Sequence, residues 1–265
     1  MNKSYKNFIF NQLTQVEGYI DPLDSLTFLT ILESQTKSGL GGGSAEIGVY
    51  FGRSFLLVKK LMTPNENALA IDLFDIGQVS DGKSEQYKRF LRYAEAVGLP
   101  MDENHIITGD STDMVAEVIT SKTGPVRFFS VDGGHQLEHI EADSLLALNS
   151  LAPHGVIAFD DTFNPEWPEV SVGVIDFIRA NRDTHSPFCV TNKKTYVCRH
   201  EWVDTYQEMI RKSTYLTKFG ISPLEFLEAR SIRLHHPISR RIAYELISRV
   251  RLGRLGGISA KVYGQ

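Results

Sequence analysis

Cysteine, long apolar runs and net charge are all scarce in this sequence, and each scarcity excludes a class of protein. Only two of the 265 residues are cysteine. Cys189 and Cys198 are too few for a disulfide-stabilised secreted domain, and no zinc-binding set surrounds them. No apolar run reaches the ~20 residues of a membrane-spanning helix, and residues 1–13 lack the apolar core of a signal peptide. The net charge of -4 gives no general attraction to nucleic acid. We therefore expect a cytoplasmic protein with reduced cysteines.

The length and composition favour one large α/β domain with appended segments. Apolar residues make up 42% and charged residues 23% of the chain, which is typical of a soluble globular protein. We expect three parts: an N-terminal leader and lid helix (1–40), a central domain (41–200) and a basic helical extension (201–265). The lid helix is predicted to begin after Asp21, because Pro22 suits the first turn of a helix.

The stretch RFFSVDGGHQLEHIEADSLLALNSLAPHGVIAFDDTF, residues 127–163, organises the central domain. Apolar runs at 127–131 and 156–159 predict buried strands, and the segment between them has helical spacing. Such a βαβ unit makes the strands parallel, so that both carboxyl ends open on one edge of the sheet. Asp132, Asp160 and Asp161 should therefore converge. An all-oxygen set suits Mg²⁺, Mn²⁺ or Ca²⁺ rather than zinc.

His135 lies three residues after Asp132, in the same turn. A histidine there is suited to act as a general base beside a metal-bound hydroxyl. The alternative interpretation is that these residues are ordinary loop carboxylates and a solvated histidine.

A glycine turn precedes this unit in GLGGGSAEIGVYFGRSFLLVKKLM. A strand is predicted to end at 45–47, Gly48 and Gly52 to form a tight turn, and Ser54 or its neighbour to begin a helix. Such a turn lets the backbone approach a ligand, and the helix amino terminus favours negative charge. The pattern from Glu46 is ExGxxxG, which differs from the GxGxxG of dinucleotide binding and is weak on its own.

Two further strands are predicted to end in acidic residues. Asp72 follows strand 68–71 and lies twenty residues beyond Gly52, a distance at which acidic residues accept hydrogen bonds from ribose in Rossmann-like folds. It could instead be a cap or loop carboxylate. Asp110 and Ser111 follow strand 105–108, where Asp110 could reach an adenine amino group or cap a helix beginning near Asp113. The loop 162–168, with Trp167, could form a substrate wall.

The C-terminal part is predicted to contain a hairpin and several helices. A hairpin at 188–199 would turn at Lys193 and Lys194, which would put the two cysteines on paired strands, where they could face each other. Helices are predicted at 203–219, 223–230 and 239–252. From Thr205 onward, eleven Lys and Arg stand against four Glu. A basic amphipathic helix can contact a membrane surface, but docking on its own domain or on a second subunit is the favoured interpretation.

The order of these features resembles the class I S-adenosylmethionine-dependent methyltransferases. Within that class it resembles the metal-dependent sugar O-methyltransferases of macrolide, aminocoumarin and saccharide biosynthesis. The resemblance covers about residues 41–199 and is carried by AEIGVYFGRS, the VDGGH turn and the FDD strand end. It implies an α/β, Rossmann-like, doubly wound and mostly parallel seven-stranded sheet with an antiparallel C-terminal hairpin strand.

The resemblance also implies roles for individual residues. The predicted S-adenosylmethionine contacts are Glu46, Gly48, Gly52, Ser54, Asp72 for the ribose, Asp110 and Ser111 beside the adenine, and Asp132. Asp132, Asp160 and Asp161 are the implied ligands of a divalent cation such as Mg²⁺, and His135 is the implied base. The predicted partner is a small-molecule acceptor, a sugar or glycoside, and a homo-oligomer is expected.

Three competing functions are left open by the sequence. A catechol or other phenol would use the same metal chelation in a different pocket. A nicotinamide-dependent oxidoreductase is disfavoured by the missing GxGxxG and by the convergent aspartates. A non-catalytic membrane or nucleic-acid adaptor is motivated only by the basic tail.

Overall fold

The computed structural model describes residues 3–240 and residue 242 of the chain. Within them, helices flank a nine-stranded sheet, and a two-stranded ribbon lies apart from it. The helices are α1 (Lys3–Asn7), α2 (Pro22–Lys37), α3 (Arg53–Leu61), α4 (Glu85–Ala96), α5 (Ala116–Thr123), α6 (Leu137–Ser150), α7 (Pro168–Ala180) and α8 (Val203–Arg211). The strands are β1 (Gly43–Ile47), β2 (Ala68–Asp72), β3 (Val79–Ser80), β4 (Lys83–Ser84), β5 (Ile106–Thr108), β6 (Val126–Val131), β7 (Leu151–Phe159), β8 (His185–Val190), β9 (Thr195–Arg199), β10 (Gly220–Phe226) and β11 (Ala229–His235).

The sheet has the order β10-β11-β8-β9-β7-β6-β1-β2-β5, and β3 pairs with β4 in the separate ribbon. Strands β5, β2, β1, β6 and β7 are mutually parallel, whereas β9 runs antiparallel to β7 and to β8. The strands from β8 to β5 form the predicted seven-stranded, doubly wound α/β arrangement with its antiparallel hairpin. All carboxyl ends of the parallel strands therefore open on one edge.

Local sequence explains where the elements around that edge begin and end. Every residue of β1 and of β6 is buried, as expected for parallel strands covered by helices on both faces. Helix α2 begins at Pro22, as predicted, and the Asp21 side chain caps it by accepting a hydrogen bond from the Leu23 backbone at 2.7 Å. Helix α7 begins at Pro168, because that proline suits a first helical turn.

The hairpin predicted at 188–199 forms from β8 and β9, but the helices predicted after it are largely wrong. Residues 220–235 form the hairpin of β10 and β11 instead of a helix at 223–230, and α8 ends at Arg211 instead of residue 219. The hairpin turns at Leu227 and Glu228, which both adopt positive φ without the usual Asn or Gly. It adds two strands to the predicted seven because β11 pairs with β8, Ile232 opposite Cys189. The predicted helix 239–252 lies almost entirely outside the described residues.

The two cysteines are buried and free, but they do not face each other. Cys189 pairs with Tyr196, and Cys198 with Ser186, because a register shift separates Pro187 from Cys189 in β8. In the described part of the chain, no helix has the length and apolar content needed to cross a membrane.

Candidate active site

A cavity of about 990 Å³ opens at the carboxyl edge of the parallel strands. Among the residues predicted from the sequence, those that line it are Gly48, Ser54, Asp72, Asp110, Ser111, Asp132, His135, Asp160 and Asp161. Glu46 and Gly52 are not on its wall; Glu46 is fully buried behind it. The structure thus gathers nearly all of the predicted residues around one space.

Gly48 brings the end of β1 against the turn that follows β6. Its φ is +82°, and a Cβ atom at this position would lie 1.7 Å from the backbone oxygen of Asp132. Hydrogen bonds fix the approach, since the Asp132 amide donates to the Ile47 oxygen at 3.0 Å and the Gly48 amide to the Ile71 oxygen at 2.9 Å. Only glycine fits this crossing, so the floor of the cavity is made of backbone.

Glu46 is held beneath that floor by the first turn of α3. The Ser54 hydroxyl donates to Oε1 of Glu46 at 2.7 Å. The other oxygen, Oε2, has no hydrogen-bond partner among the described residues. Burial raises the pKa of Glu46 to about 7, against the opposing effects of Ser54 and Lys194. Glu46 therefore belongs to the buried layer beneath the cavity and not to its wall.

Asp72 ends β2 and organises the loops on its side of the cavity. Its Oδ2 accepts the Tyr50 amide at 2.8 Å and its Oδ1 accepts the Phe74 amide at 2.7 Å. Both of those residues adopt positive φ, with values of 54° and 48°. Gln86, which sequence reasoning missed, donates from Nε2 to Oδ1 at 3.1 Å. Burial raises the pKa of Asp72 although all three donors oppose it.

Asp110 serves as a local cap in the structure. Its Oδ1 accepts the Thr112 amide at 3.0 Å and so begins a single 3₁₀ turn, Ser111–Asp113. The helix expected near Asp113 begins later, at Ala116. The cap was one of the two roles that the sequence left open. The adenine contact of Asp110 and Ser111 stays a prediction.

Asp132 and Asp160 meet where β6 and β7 end, and a lysine lies between them. Nζ of Lys194 is 2.9 Å from Oδ2 of Asp160 and 4.0 Å from Oδ2 of Asp132. Burial and the neighbouring Asp160 carboxylate raise the pKa of Asp132 well above its ordinary value. Burial opposes ionisation of Asp160 as well, but Lys194 and the hydrogen bond from Asp132 hold the pKa of Asp160 below its ordinary value. The Lys194 ammonium therefore lies beside both carboxylates and is closer to Asp160.

Asp161 turns away from that pair and toward His135. Its φ of 50° is rare for a residue other than glycine and aims the side chain out of the strand direction. Oδ2 of Asp161 is 3.9 Å from Nε2 of His135, and Oδ1 is 3.3 Å from Nζ of Lys193. The imidazole of His135 stacks on the indole of Trp167, with ring centroids 4.2 Å apart and planes inclined by 8°. Trp167 lines the cavity, as predicted for its loop.

The predicted divalent cation does not fit this arrangement. In the described part of the chain, no three Asp, Glu, His or Cys side chains form a group that could hold a metal ion. Asp132 and Asp160 are already bridged by the Lys194 ammonium, and Asp161 faces His135 and Lys193. The βαβ unit was expected to bring three carboxylates together. In the structure two of them, Asp132 and Asp160, meet beside the Lys194 ammonium.

Lys194 was missed as a site residue, although the sequence carries a signal for it. The hairpin predicted at residues 188–199 closes the sheet when its second strand pairs antiparallel with the strand at 156–159. Its second strand then begins at the edge where the parallel strands end. In the structure Thr195 pairs with Phe159, which sets Lys194 beside Asp160.

Comparisons with known proteins agree with this geometry. Residues 45–162 match the family model described as a methyltransferase domain. The solved structure of the O-methyltransferase NovP has a TM-score of 0.53 at 14% identity, over 67% of this chain and 78% of that one. No curated protein sequence matches this chain.

Two further solved structures share the fold. The O-methyltransferase TomG of Streptomyces achromogenes, in complex with S-adenosylmethionine, has a TM-score of 0.51 at 14% identity, over 75% of this chain and 91% of that one. An O-methyltransferase from Bacillus cereus, in complex with S-adenosylhomocysteine, has a TM-score of 0.50 at 14% identity, over 74% and 90% of the two chains. At these identities the likeness concerns the fold, whereas the family model identifies the domain. Residues 45–162 therefore match a methyltransferase domain, and the chain shares its fold with O-methyltransferases solved in complex with S-adenosylmethionine or S-adenosylhomocysteine.

Proposed function

We propose that this protein transfers a methyl group from S-adenosylmethionine to a hydroxyl of a sugar or a glycosylated small molecule. The observation that carries the proposal is the position of His135, which lines the same cavity as Asp72 and the Gly48 turn. A base and a cofactor-type site within one cavity of about 990 Å³ leave room for both cofactor and acceptor.

The cofactor side of the cavity fits S-adenosylmethionine. The Gly48 turn offers close backbone approach, and the Asp72 carboxylate, which lines the cavity, can accept hydrogen bonds from ribose hydroxyls. When bound, S-adenosylmethionine supplies the electrophilic methyl group. The residues of the chain contribute binding, orientation and proton transfer.

His135 accepts the proton of the acceptor hydroxyl. Its ring is held flat against Trp167, and Oδ2 of the Asp161 carboxylate lies 3.9 Å from Nε2. Because stacking on Trp167 restrains the imidazole ring, the nitrogen that accepts the proton has a fixed orientation toward the acceptor.

The acceptor end of the cavity suits a carbohydrate. Its wall combines three carboxylates, an amide and an amine with one large aromatic: Asp160, Asp161, Glu166, Asn164, Lys193 and Trp167. Sugar hydroxyls can hydrogen-bond to such polar groups, while the apolar face of a sugar ring packs on an indole. A phenol would gain little from so many polar groups.

Transfer of a labelled methyl group from S-adenosylmethionine tests the proposal. The purified protein would be incubated with nucleotide sugars, glycosides and catechols in parallel, and products would be located by mass spectrometry. We expect label on a sugar hydroxyl. Label found only on catechols, or on nitrogen, would contradict the proposed acceptor class.

A further inference from the structure

Lys194 is brought to the cofactor cavity by the topology of the sheet. Strand β9 runs antiparallel to β7, so β9 begins at the edge where β7 ends, and Lys194 immediately precedes Thr195. Asp160 follows β7 directly, and its amide donates to the Val131 oxygen at 3.0 Å, which draws it toward the end of β6. Three strand ends therefore deliver one lysine and two aspartates to a single point.

The Lys194 side chain is enclosed at this point. It is 3% exposed, whereas lysines rarely lose contact with solvent unless they are paired. Its ammonium lies 5.7 Å from the ring centroid of Phe28 on α2. The neighbouring Lys193 is half exposed and contacts Asp161 instead.

The backbone of Lys194 is fixed as well. Its amide donates to the Thr191 hydroxyl at 2.9 Å, and that hydroxyl donates to Asp24 of α2 at 2.8 Å. The Tyr196 hydroxyl donates to the same oxygen of Asp24 at 2.7 Å. The turn that carries Lys194 is thus held on both sides by hydrogen bonds to the same buried carboxyl group, that of Asp24.

The ammonium takes the place that a bridging cation would need. A magnesium or calcium ion bonds carboxylate oxygens at about 2.0–2.6 Å and requires six or more ligands. Nζ of Lys194 already lies 2.9 Å from Oδ2 of Asp160. An ion bound to that oxygen would lie against a fixed positive charge in a site with little solvent, where repulsion is strong. The third predicted carboxylate, Asp161, points toward Lys193 and His135.

We propose that the Lys194 ammonium stands in for a divalent cation between Asp132 and Asp160, so that this domain binds its acceptor without a metal ion. What this inference implies about the acceptor rests on the proposed function. An acceptor that is not chelated needs no second, vicinal hydroxyl. The substrate class therefore includes compounds with a single hydroxyl presented to His135, and Lys194 is a residue that holds the carboxylate pair in position.

Binding of Mn²⁺ tests the substitution without reference to activity. Manganese chloride would be titrated into the full-length protein, with and without saturating S-adenosylhomocysteine, and free Mn²⁺ would be measured by electron paramagnetic resonance. We expect no binding by the wild-type protein below millimolar concentrations. We expect Lys194→Met to bind at least tenfold more tightly, and Lys193→Met, the matched control, to behave like the wild type.

Two results would overturn the proposal. One is micromolar Mn²⁺ binding by the wild type that is lost in Asp160→Asn, which would establish an ordinary metal site. The other is a folded Lys194→Met protein, judged by circular dichroism, that gains no affinity for Mn²⁺. If Lys194→Met does not fold, the wild-type titration alone decides. The methyltransferase proposal is tested separately, because it predicts S-adenosylhomocysteine binding whatever the manganese result.

Discussion

His135 is the residue whose removal should separate chemistry from cofactor binding. It contacts Trp167 and Asp161 at the acceptor end of the cavity, away from Asp72. We predict that His135→Ala lowers kcat by about 10²- to 10⁴-fold, because general-base catalysis contributes on that order. The affinity for S-adenosylhomocysteine should stay within about twofold of the wild type, as measured by calorimetry. An unchanged kcat would assign the base to another group.

His154 provides the matched control for that experiment. It is in the first half of β7, away from the cavity, and its Nε2 is 3.0 Å from the Gly41 oxygen. His154→Gln retains a hydrogen-bonding side chain, and we predict that its kcat is unchanged.

Asp24 makes the stability of the protein depend on pH in a predictable direction. Burial raises its pKa to about 7, against the opposing effects of Lys194, Tyr196 and Thr191. Between pH 4 and pH 7 the folded protein keeps a proton on Asp24 that the unfolded chain has lost. The free energy of unfolding should therefore fall as pH rises through that range, by on the order of 3 kcal/mol for this group alone.

Asp24→Asn should remove this contribution while the variant keeps the acceptor oxygen for Thr191 and Tyr196, which both donate to Oδ1. Urea denaturation of both proteins at pH 5 and pH 8 measures the difference. We expect the variant to gain stability relative to the wild type at pH 8. Parallel pH profiles for the two proteins would show that Asp24 is ionised throughout.

The individual site residues were predictable to different degrees. Asp72, Asp132 and Asp160 directly follow or end apolar strand segments, and parallel strands must present such residues on one edge. Lys194 is remote from them in sequence and depends on how a hairpin pairs. The pattern of carboxylates alone could not reveal that a lysine would lie between two of them.

At the scale of an element, the turn after β1 should tolerate no side chain. A Cβ at Gly48 would lie 1.7 Å from the Asp132 oxygen, so Gly48→Ala must displace the turn that carries Asp132. We predict at least a tenfold loss of S-adenosylhomocysteine affinity and a lower melting temperature.

Gly98 separates the effect of close approach from the effect of backbone conformation. Its φ is +72°, near that of Gly48, but a Cβ there would meet no atom within 4 Å. Gly98→Ala should destabilise the fold by about 1 kcal/mol and leave cofactor affinity unchanged. Equal losses of affinity in both variants would show that the crossing of Gly48 and Asp132 does not shape the site.

The C-terminal hairpin shows where reasoning about an element from its sequence fails. Residues 223–230 contain apolar residues and charges at a spacing that allows a helix, but the strand β11 buries Ile232 and Leu234 against the open edge of β8. The turn residues Leu227 and Glu228 carry no local turn signal. Residues 220–235 form strands because the edge of β8 is available for pairing, which is a tertiary feature that the local sequence does not show.

At the scale of the whole molecule, the parallel core was predictable and its additions were not. Buried apolar runs that alternate with helical segments specify the α/β arrangement, because connections between parallel strands follow a fixed hand. The seven strands from β8 to β5 agree with that prediction. The two added strands, β10 and β11, were not predicted, because their sequence also allows a helix and because β11 pairs with a strand that is distant in sequence.

Calorimetric titration of S-adenosylhomocysteine into the purified protein, in the presence of a chelator, tests the central claim most directly. The account predicts a dissociation constant in the micromolar range, the same after Mg²⁺ is added, and at least tenfold weaker binding by Asp72→Ala. Asp72 matters because its carboxylate both faces the cavity and fixes the loops at Tyr50 and Phe74. No binding with or without Mg²⁺ would contradict the assignment of this cavity to S-adenosylmethionine.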